Sequence, residues 1–210
     1  MRVLVACEFS GVVRRAFRKR GHDAWSCDLL ESEDASPFHI QMDVLEFLKN
    51  SSFDLMIAHP PCTYLSYAGT SSWNDQGRLR KRLDALKFFA DLWEAPISKI
   101  CIENPMGCAS PTISKFSQII QPYYFGDPES KRTCLWLKNL SPLIHSKIDT
   151  LFETKTHTDP KIYATYKSGP KKGQNIYGVS YLKFSPDRWK ERSRFWPSIA
   201  EAMAEQWGVL

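Results

Sequence analysis

The sequence predicts a doubly wound α/β fold on a mostly parallel sheet, and three observations carry that expectation. Apolar runs at 3–7, 53–58 and 98–102 have the length and near-continuous hydrophobicity of strands buried on both faces. Between such runs lie stretches with helical spacing, of which Leu79, Leu83, Leu86 and Phe89 are the clearest. Each of the three runs leads into an acidic residue or a proline, which marks the carboxyl edge where open α/β sheets bind ligands.

Taken in order, residues 3–7 form the first strand, and Glu8-Phe9-Ser10-Gly11 turns into a helix over 12–20 that Gly21 closes. Residues 23–27 are a second strand ending at Asp28, and 39–42 a third ending at Asp43, with a short helix over 44–49. The run 53–58 is stopped by Pro60 and Pro61, which cannot donate to a ladder. A helix over 76–93 leads to the strand that ends at Glu103-Asn104-Pro105. A helix over 111–120, strands at 122–125 and 133–137, and a terminal helix opening at Pro197 complete the pattern. Strands alternating with helices in this way give a layered sheet with helices on both faces.

Composition narrows the setting. The 210 residues suit one domain with a small appendage, and 43% hydrophobic residues supply a core. A net charge of +5 is compatible with a polyanionic partner. Six cysteines (Cys7, Cys27, Cys62, Cys101, Cys108 and Cys134) show no Cys-x-x-Cys spacing, so no metal is expected. Cys7, Cys27, Cys101 and Cys134 fall in strand-like runs, as reduced thiols of a cytosol would. Neither a signal peptide nor a membrane span is expected, and the reading is a cytoplasmic monomer.

The chemistry centres on 53–66. Cys62 follows two rigid prolines just beyond a strand's carboxyl end, where a thiol is placed to act as a nucleophile; filling a small gap in the core is the plainer use of a cysteine. Glu103-Asn104, at the end of another strand, points to the same crevice. Together, Pro61-Cys62 and Glu103-Asn104 resemble the paired signature of the DNA cytosine C5-methyltransferases. That resemblance implies the Rossmann-like class I methyltransferase type of fold, Cys62 as the nucleophile that adds to cytosine C6, and Glu103 as the acid at N3. Glu103 would then need a raised pKa, which a dry pocket supplies. Asn104 would hold the loop. The segment 126–133 partly resembles a further motif of the family, with Lys131 and Arg132 as the cations that favour the thiolate. Compact members of this kind are typical of bacteriophages.

The resemblance also implies S-adenosylmethionine as cofactor, lying across the first strand ends. Its expected contacts are Glu8, Phe9, Ser10, Gly11, Asp28, Leu29, Asp43, Val44 and Pro60. Asp28 is placed for ribose hydroxyls and Asp43 for the adenine edge, or both merely cap the helices that follow. The family's first loop is usually Phe-x-Gly-x-Gly; here Cys7-Glu8-Phe9-Ser10-Gly11 keeps only the second glycine, which leaves room for another one-carbon donor.

Between Lys155 and Arg194 stand ten lysines and arginines against three acids, interleaved with Tyr163, Tyr166, Tyr177, Tyr181, Phe184 and Trp189. Basic side chains among aromatics suit phosphates and unstacked bases, though a solvated loop region would have the same composition. The expected organisation is a catalytic and cofactor-binding domain over 1–140, a small basic target-recognition region over 141–194, and a helix over 195–210 packing back on the first. DNA is the expected partner, met by Ser66, Arg78, Arg80, Lys131, Arg132, Lys171 and Lys172. The polar loop 63–75 would close over a flipped base. Three alternatives stay open: an amino-methyltransferase, an enzyme of free cytosine nucleotides or of another donor, and a catalytically silent DNA-binding protein.

Overall fold

A computed structural model describes residues 1–68, 74–149, 154–178, 190 and 193–209. Seven strands form one sheet in the order β3-β2-β1-β4-β5-β7-β6. They are β1 (Arg2–Ala6), β2 (Asp23–Asp28), β3 (His39–Gln41), β4 (Leu55–Ala58), β5 (Lys99–Asn104), β6 (Gln118–Ile120) and β7 (Thr133–Lys138). The five strands from β3 to β5 run parallel, while β7 is antiparallel to both its neighbours. This is the doubly wound, Rossmann-like α/β fold that the sequence predicts.

The strands alternate their side chains between two cores. Val3, Val5, Leu55, Ile57 and Cys101 face one layer, where α1 (Val12–Lys19) and α5 (Pro197–Trp207) pack. Leu4, Ala6, Met56, Ala58, Ile100 and Ile102 face the other, with α2 (Val44–Leu48), α3 (Arg78–Trp93) and α4 (Ala109–Thr112). Two-sided burial explains why β1, β4 and β5 read as unbroken apolar runs.

The helical spacing of α3 is present, but only its second half is buried: Leu79 is 62% and Leu83 53% exposed, Leu86 is partly buried against the core, and Phe89 and Leu92 are buried. Sixteen residues make a helix about 24 Å long. The four residues of β4 span only about 13 Å. The first half of α3 therefore outruns the sheet. The helix expected over 111–120 shrinks to the four residues of α4, because Ile119 and Ile120 pair with β7 instead. The strand expected over 122–125 is a 3₁₀ turn at Pro122–Tyr124, with proline at its first position, where the missing N–H is not needed.

Two ties hold the periphery. Arg14, only 1% exposed, donates to Ser26 Oγ at 2.7 Å and to Asp34 Oδ1 at 2.6 Å, fixing the β2–β3 loop to α1. Gly11, at φ +67, precedes that helix, and a Cβ there would overlap the Arg14 guanidinium. The hairpin β8 (Ile162–Thr165) and β9 (Asn175–Tyr177) is held to the segment before β7. Its ties are Tyr163 Oη donating to Glu129 at 2.7 Å and Lys161 N–H donating to the Pro128 carbonyl at 2.8 Å. α5 returns to the sheet through Ile199, Ala200, Met203, Ala204 and Trp207, all buried. Tyr181, Phe184 and Trp189, with 69–73 of the expected lid, lie outside the described residues.

Arg14, Ser32 and Arg15 hold the Asp34 carboxyl below its usual range, against an opposing push from burial. A depressed carboxyl contributes stability above its unfolded pKa and loses it as pH falls. Wild type should therefore lose stability below about pH 4 more steeply than Asp34→Asn. Denaturation midpoints across pH 2–7 (roughly the carboxylate range) check this, and parallel curves would remove Asp34 from the account.

Candidate active site

The site forms where β4 and β5 end side by side. His59 N–H donates to the Ala6 carbonyl at 2.9 Å, extending the β4 ladder by one bond before Pro60 and Pro61 stop it. The chain then folds back, and the Cys62 carbonyl accepts from the N–H groups of Leu65 (3.1 Å) and Ser66 (2.9 Å). The loop is stitched to the one after β5. Asn104 Nδ2 donates to the Pro60 carbonyl at 2.8 Å, and Tyr67 and Cys108 N–H groups donate to Met106 and Leu65 carbonyls. Ser66 pairs with Gly107, where a Cβ would overlap the Leu65 carbonyl. Cys62 thus sits on a turn whose backbone is fixed on both sides.

The direction of β7 completes the arrangement. Because β7 runs against β5, its beginning lies beside the end of β5: Leu135 pairs with Glu103 and Cys134 with Asn104. Lys131, Arg132 and Thr133 are thereby delivered to the edge that carries Cys62. Thr133 Oγ1 donates to Glu103 Oε1 at 3.0 Å.

A cleft of about 830 Å³ runs across these strand ends. At one end stand Glu8, Phe9, Ser10 and Asp28; at the other, Cys62, Ser66, Arg78, Lys131 and Arg132. His59 and Phe195 also line it, their rings 4.6 Å apart. Glu8 is buried, and its Oε1 and Oε2 accept from the N–H groups of Val13 and Arg14 at 2.7 and 3.2 Å. The amino end of α1 is therefore occupied by the protein's own carboxylate. Burial raises the Glu8 pKa, with His59 and the two N–H bonds opposing. Burial likewise raises Asp28, whose Oδ1 accepts from Leu30 N–H at 2.9 Å.

Glu103 departs from expectation. It is buried, at 7% exposure, and it does not line the cleft. Burial pushes its pKa up, but the His59 hydrogen bond, the Lys131 charge and Thr133 outweigh that push, and the net shift is downward. The raised value expected for an acid at N3 assumes a dry pocket without the donors that the structure places around the carboxyl. His59 Nδ1 lies 3.3 Å from Glu103 Oε2.

Other expected residues stand outside the cleft. Asp43 caps α2, its Oδ1 accepting from Leu45 and Glu46 N–H groups, and Val44 is buried in the core beside it. Gly11 shapes the turn without lining the cleft, and Leu29 is exposed while its neighbour Leu30 contributes to the wall. Pro60 is buried, its carbonyl bonded to Asn104. Arg78 reaches the cleft and donates to the Thr63 carbonyl at 3.1 Å, whereas exposed Arg80 pairs with Asp84. Lys171 and Lys172 lie on the turn between β8 and β9, with Lys171 Nζ 5.8 Å from the Tyr166 ring. Cys7 is not a strand residue: it takes a left-handed turn (φ 58) and lines the cleft, its thiol pKa raised by burial.

His59, Phe195 and Gly107 are site residues that sequence reasoning missed. His59 stands next to the prolines in plain view, yet only the partner at Glu103 gives it meaning. Phe195 arrives from the far end of the chain, just before α5.

No protein-family model and no curated protein matches the chain. Among solved structures, it is similar to a protein named as a DNA modification methyltransferase encoded within a prophage (E. coli), with 16% identity and a TM-score of 0.41. That alignment covers 65% of this chain and 46% of the other. It is also similar to the Entamoeba histolytica methyltransferase EhMeth, with 14% identity, a TM-score of 0.47, and coverage of 78% and 58%. The chain thus spans about half the length of these structures. Likeness of this degree does not bear on the reaction. Among the described residues there is no group of three or more His, Cys, Asp or Glu that could hold a metal, and no helix long and apolar enough to cross a membrane.

Asp43→Ala should lower stability by about 1 kcal/mol through the lost cap and leave ligand binding in the cleft unchanged. Denaturation with a binding titration checks both, and a parallel loss of binding would return Asp43 to the site. Gly107→Ala should disturb the Cys62 loop far more than its size suggests, seen as altered thiol labelling of Cys62 with the global fold intact. Unchanged labelling would show the stitch to be dispensable.

Proposed function

We propose that this protein transfers a methyl group from S-adenosylmethionine to C5 of cytosine in DNA, through a covalent adduct of Cys62. The observation that carries the reading is the placing of Cys62, Lys131 and Arg132 at one end of a cleft whose other end offers Glu8, Phe9, Ser10 and Asp28. A nucleophile and a nucleoside-type site share one cavity.

The chemistry of the far end fits this cofactor. Two carboxylates, Glu8 and Asp28, and the apolar Leu30 and Phe9 suit a nucleoside with a cationic tail. A dinucleotide would want the α1 amino end for its pyrophosphate, and Glu8 already fills it. Asp28, at the end of β2, would accept from ribose hydroxyls. S-adenosylmethionine supplies an electrophilic methyl carbon when bound.

At the near end the protein must make C5 reactive. Cys62 Sγ adds to C6, which turns C5 into an enamine-like carbon and splits one hard step into easier ones. Lys131 and Arg132 favour the thiolate. Negative charge then developing on the ring is offset by proton donation on the side of Glu103 and its partner His59. A base within a duplex cannot reach this cleft, so it must be flipped out. Arg78, which lines the cleft, suits a phosphate contact.

Incubation with DNA and labelled donor, followed by mass spectrometry of the nucleosides, should yield 5-methylcytosine. Cys62→Ala should abolish it, and Glu103→Gln should slow it about a hundredfold or more with DNA binding retained. N4-methylcytosine as the product, or activity surviving in Cys62→Ala, would refute the reading.

A further inference from the structure

A second cavity, of about 360 Å³, lies outside the site already described, with Tyr123, Lys147, Lys155, His157 and Asp159 in its walls. The two stretches that carry its lysines are zipped together. The Ser146 carbonyl accepts from the N–H groups of Thr156 (3.0 Å) and His157 (3.1 Å), and Thr156 Oγ1 donates to the Tyr124 carbonyl at 2.6 Å. Tyr124 stacks against the rings of both His145 and His157, at 4.6 and 4.7 Å, and the two imidazoles share a hydrogen bond of 2.8 Å. His157 is thus a fixed wall, and the exposed Lys147 and Lys155 converge on it.

The charges of this cavity are unbalanced. Burial lowers the His157 pKa first, and His145, Lys147 and Lys155 push it further down. No carboxylate opposes them at the imidazole, although Asp159 lines the same cavity. Asp149 gives an oxygen to the backbone N–H of Lys155 at 2.6 Å. Ammonium groups gathered without a counter-charge repel one another, and an anion placed among them relieves that repulsion.

The place of the cavity in the fold indicates which anion. β5 and β6 both run against β7, so their carboxyl ends share one edge of the sheet, and Tyr123 follows β6 there. The cavity and the Cys62 cleft meet at one segment. Thr158 N–H donates to the Tyr123 carbonyl at 2.9 Å, and Tyr123 N–H to the Glu129 carbonyl at 3.1 Å. Ser130 and Lys131, next along the chain, line the cleft.

We propose that this cavity binds a backbone phosphate of the DNA strand whose cytosine enters the cleft. The inference rests on the reading of DNA as substrate given above. Strand order puts three inter-strand spacings between β4 and β6, on the order of 14 Å. At about 3.4 Å of rise per nucleotide, the phosphate lies about four nucleotides from the flipped base. Such a contact holds the strand in place and carries no sequence information.

The test measures binding of a labelled duplex to the full chain across roughly 50–200 mM salt. The double variant Lys147→Gln/Lys155→Gln, altered only at exposed side chains, should lower the slope of log affinity against log salt by about one. Lys49→Gln, an exposed lysine between α2 and β4, should leave the slope as in wild type. Ring resonances of His157 should shift when the duplex is added to wild type and stay in place in the double variant.

A slope in the double variant equal to that of Lys49→Gln overturns the proposal. So does a His157 shift produced by inorganic phosphate and not by the duplex, which would assign the cavity to a free anion. Either result, with 5-methylcytosine still formed, leaves the C5 reading standing. The expected slope and shift with no 5-methylcytosine formed would refute the C5 reading and keep this site.

Discussion

A carboxylate carried to the end of a buried strand must find donors there or lose its charge. Glu103 is in that position, next to last in β5, and its donors come from the two neighbouring strand ends. Thr133 can donate to it because β7 enters antiparallel and begins where β5 ends. His59 can reach it because β4 stops one residue earlier, at Ala58. Reversing β7 would remove Thr133 and carry Lys131 and Arg132 to the opposite edge of the sheet. The direction of one strand thus decides whether the cations and the thiol share a cavity.

The two loops that leave β4 and β5 are consequences of the same packing. Pro60 and Pro61 prevent the β4 ladder from continuing, so the backbone there needs partners from elsewhere. Asn104 supplies one for the Pro60 carbonyl, and the close approach at Gly107 supplies others for Leu65 and Ser66. For the proposed reaction, loops held from both sides matter because a displacement of about 1 Å at a reacting atom is enough to lose most of the rate.

The sheet was legible because its central strands are buried on both faces and therefore continuous in hydrophobicity. The weaker elements were not. Gln118–Ile120 has the β-branched pair of a strand but is flanked by helix-compatible residues, so its identity rests on pairing with β7, a contact distant in sequence. Pro122 ends a strand or opens a helical turn with equal ease on local grounds. In α3 the apolar spacing is helical, but how much of that face is buried depends on where the sheet ends beneath it: Phe89 and Leu92 are buried while Leu79 and Leu83 are exposed. Within the site, the positions of Cys62 and Asp28 followed from their places at strand ends. For Asp43 the sequence leaves a cap and a ligand contact open, and the structure shows the cap; the internal hydrogen bonds of Glu103 depend on partners that spacing does not reveal. His59 illustrates the limit most clearly: its neighbours in sequence say nothing of a carboxylate on the adjoining strand.

The central claim is that the sulfur of Cys62 bonds to a pyrimidine carbon. DNA carrying 5-fluorocytosine tests it directly, because fluorine at C5 cannot leave as a proton does and the adduct is trapped. With the methyl donor present, a protein–DNA complex that survives denaturation should form and should map to Cys62. Methylated product from ordinary DNA, with no such complex from the fluorinated one, would contradict the account.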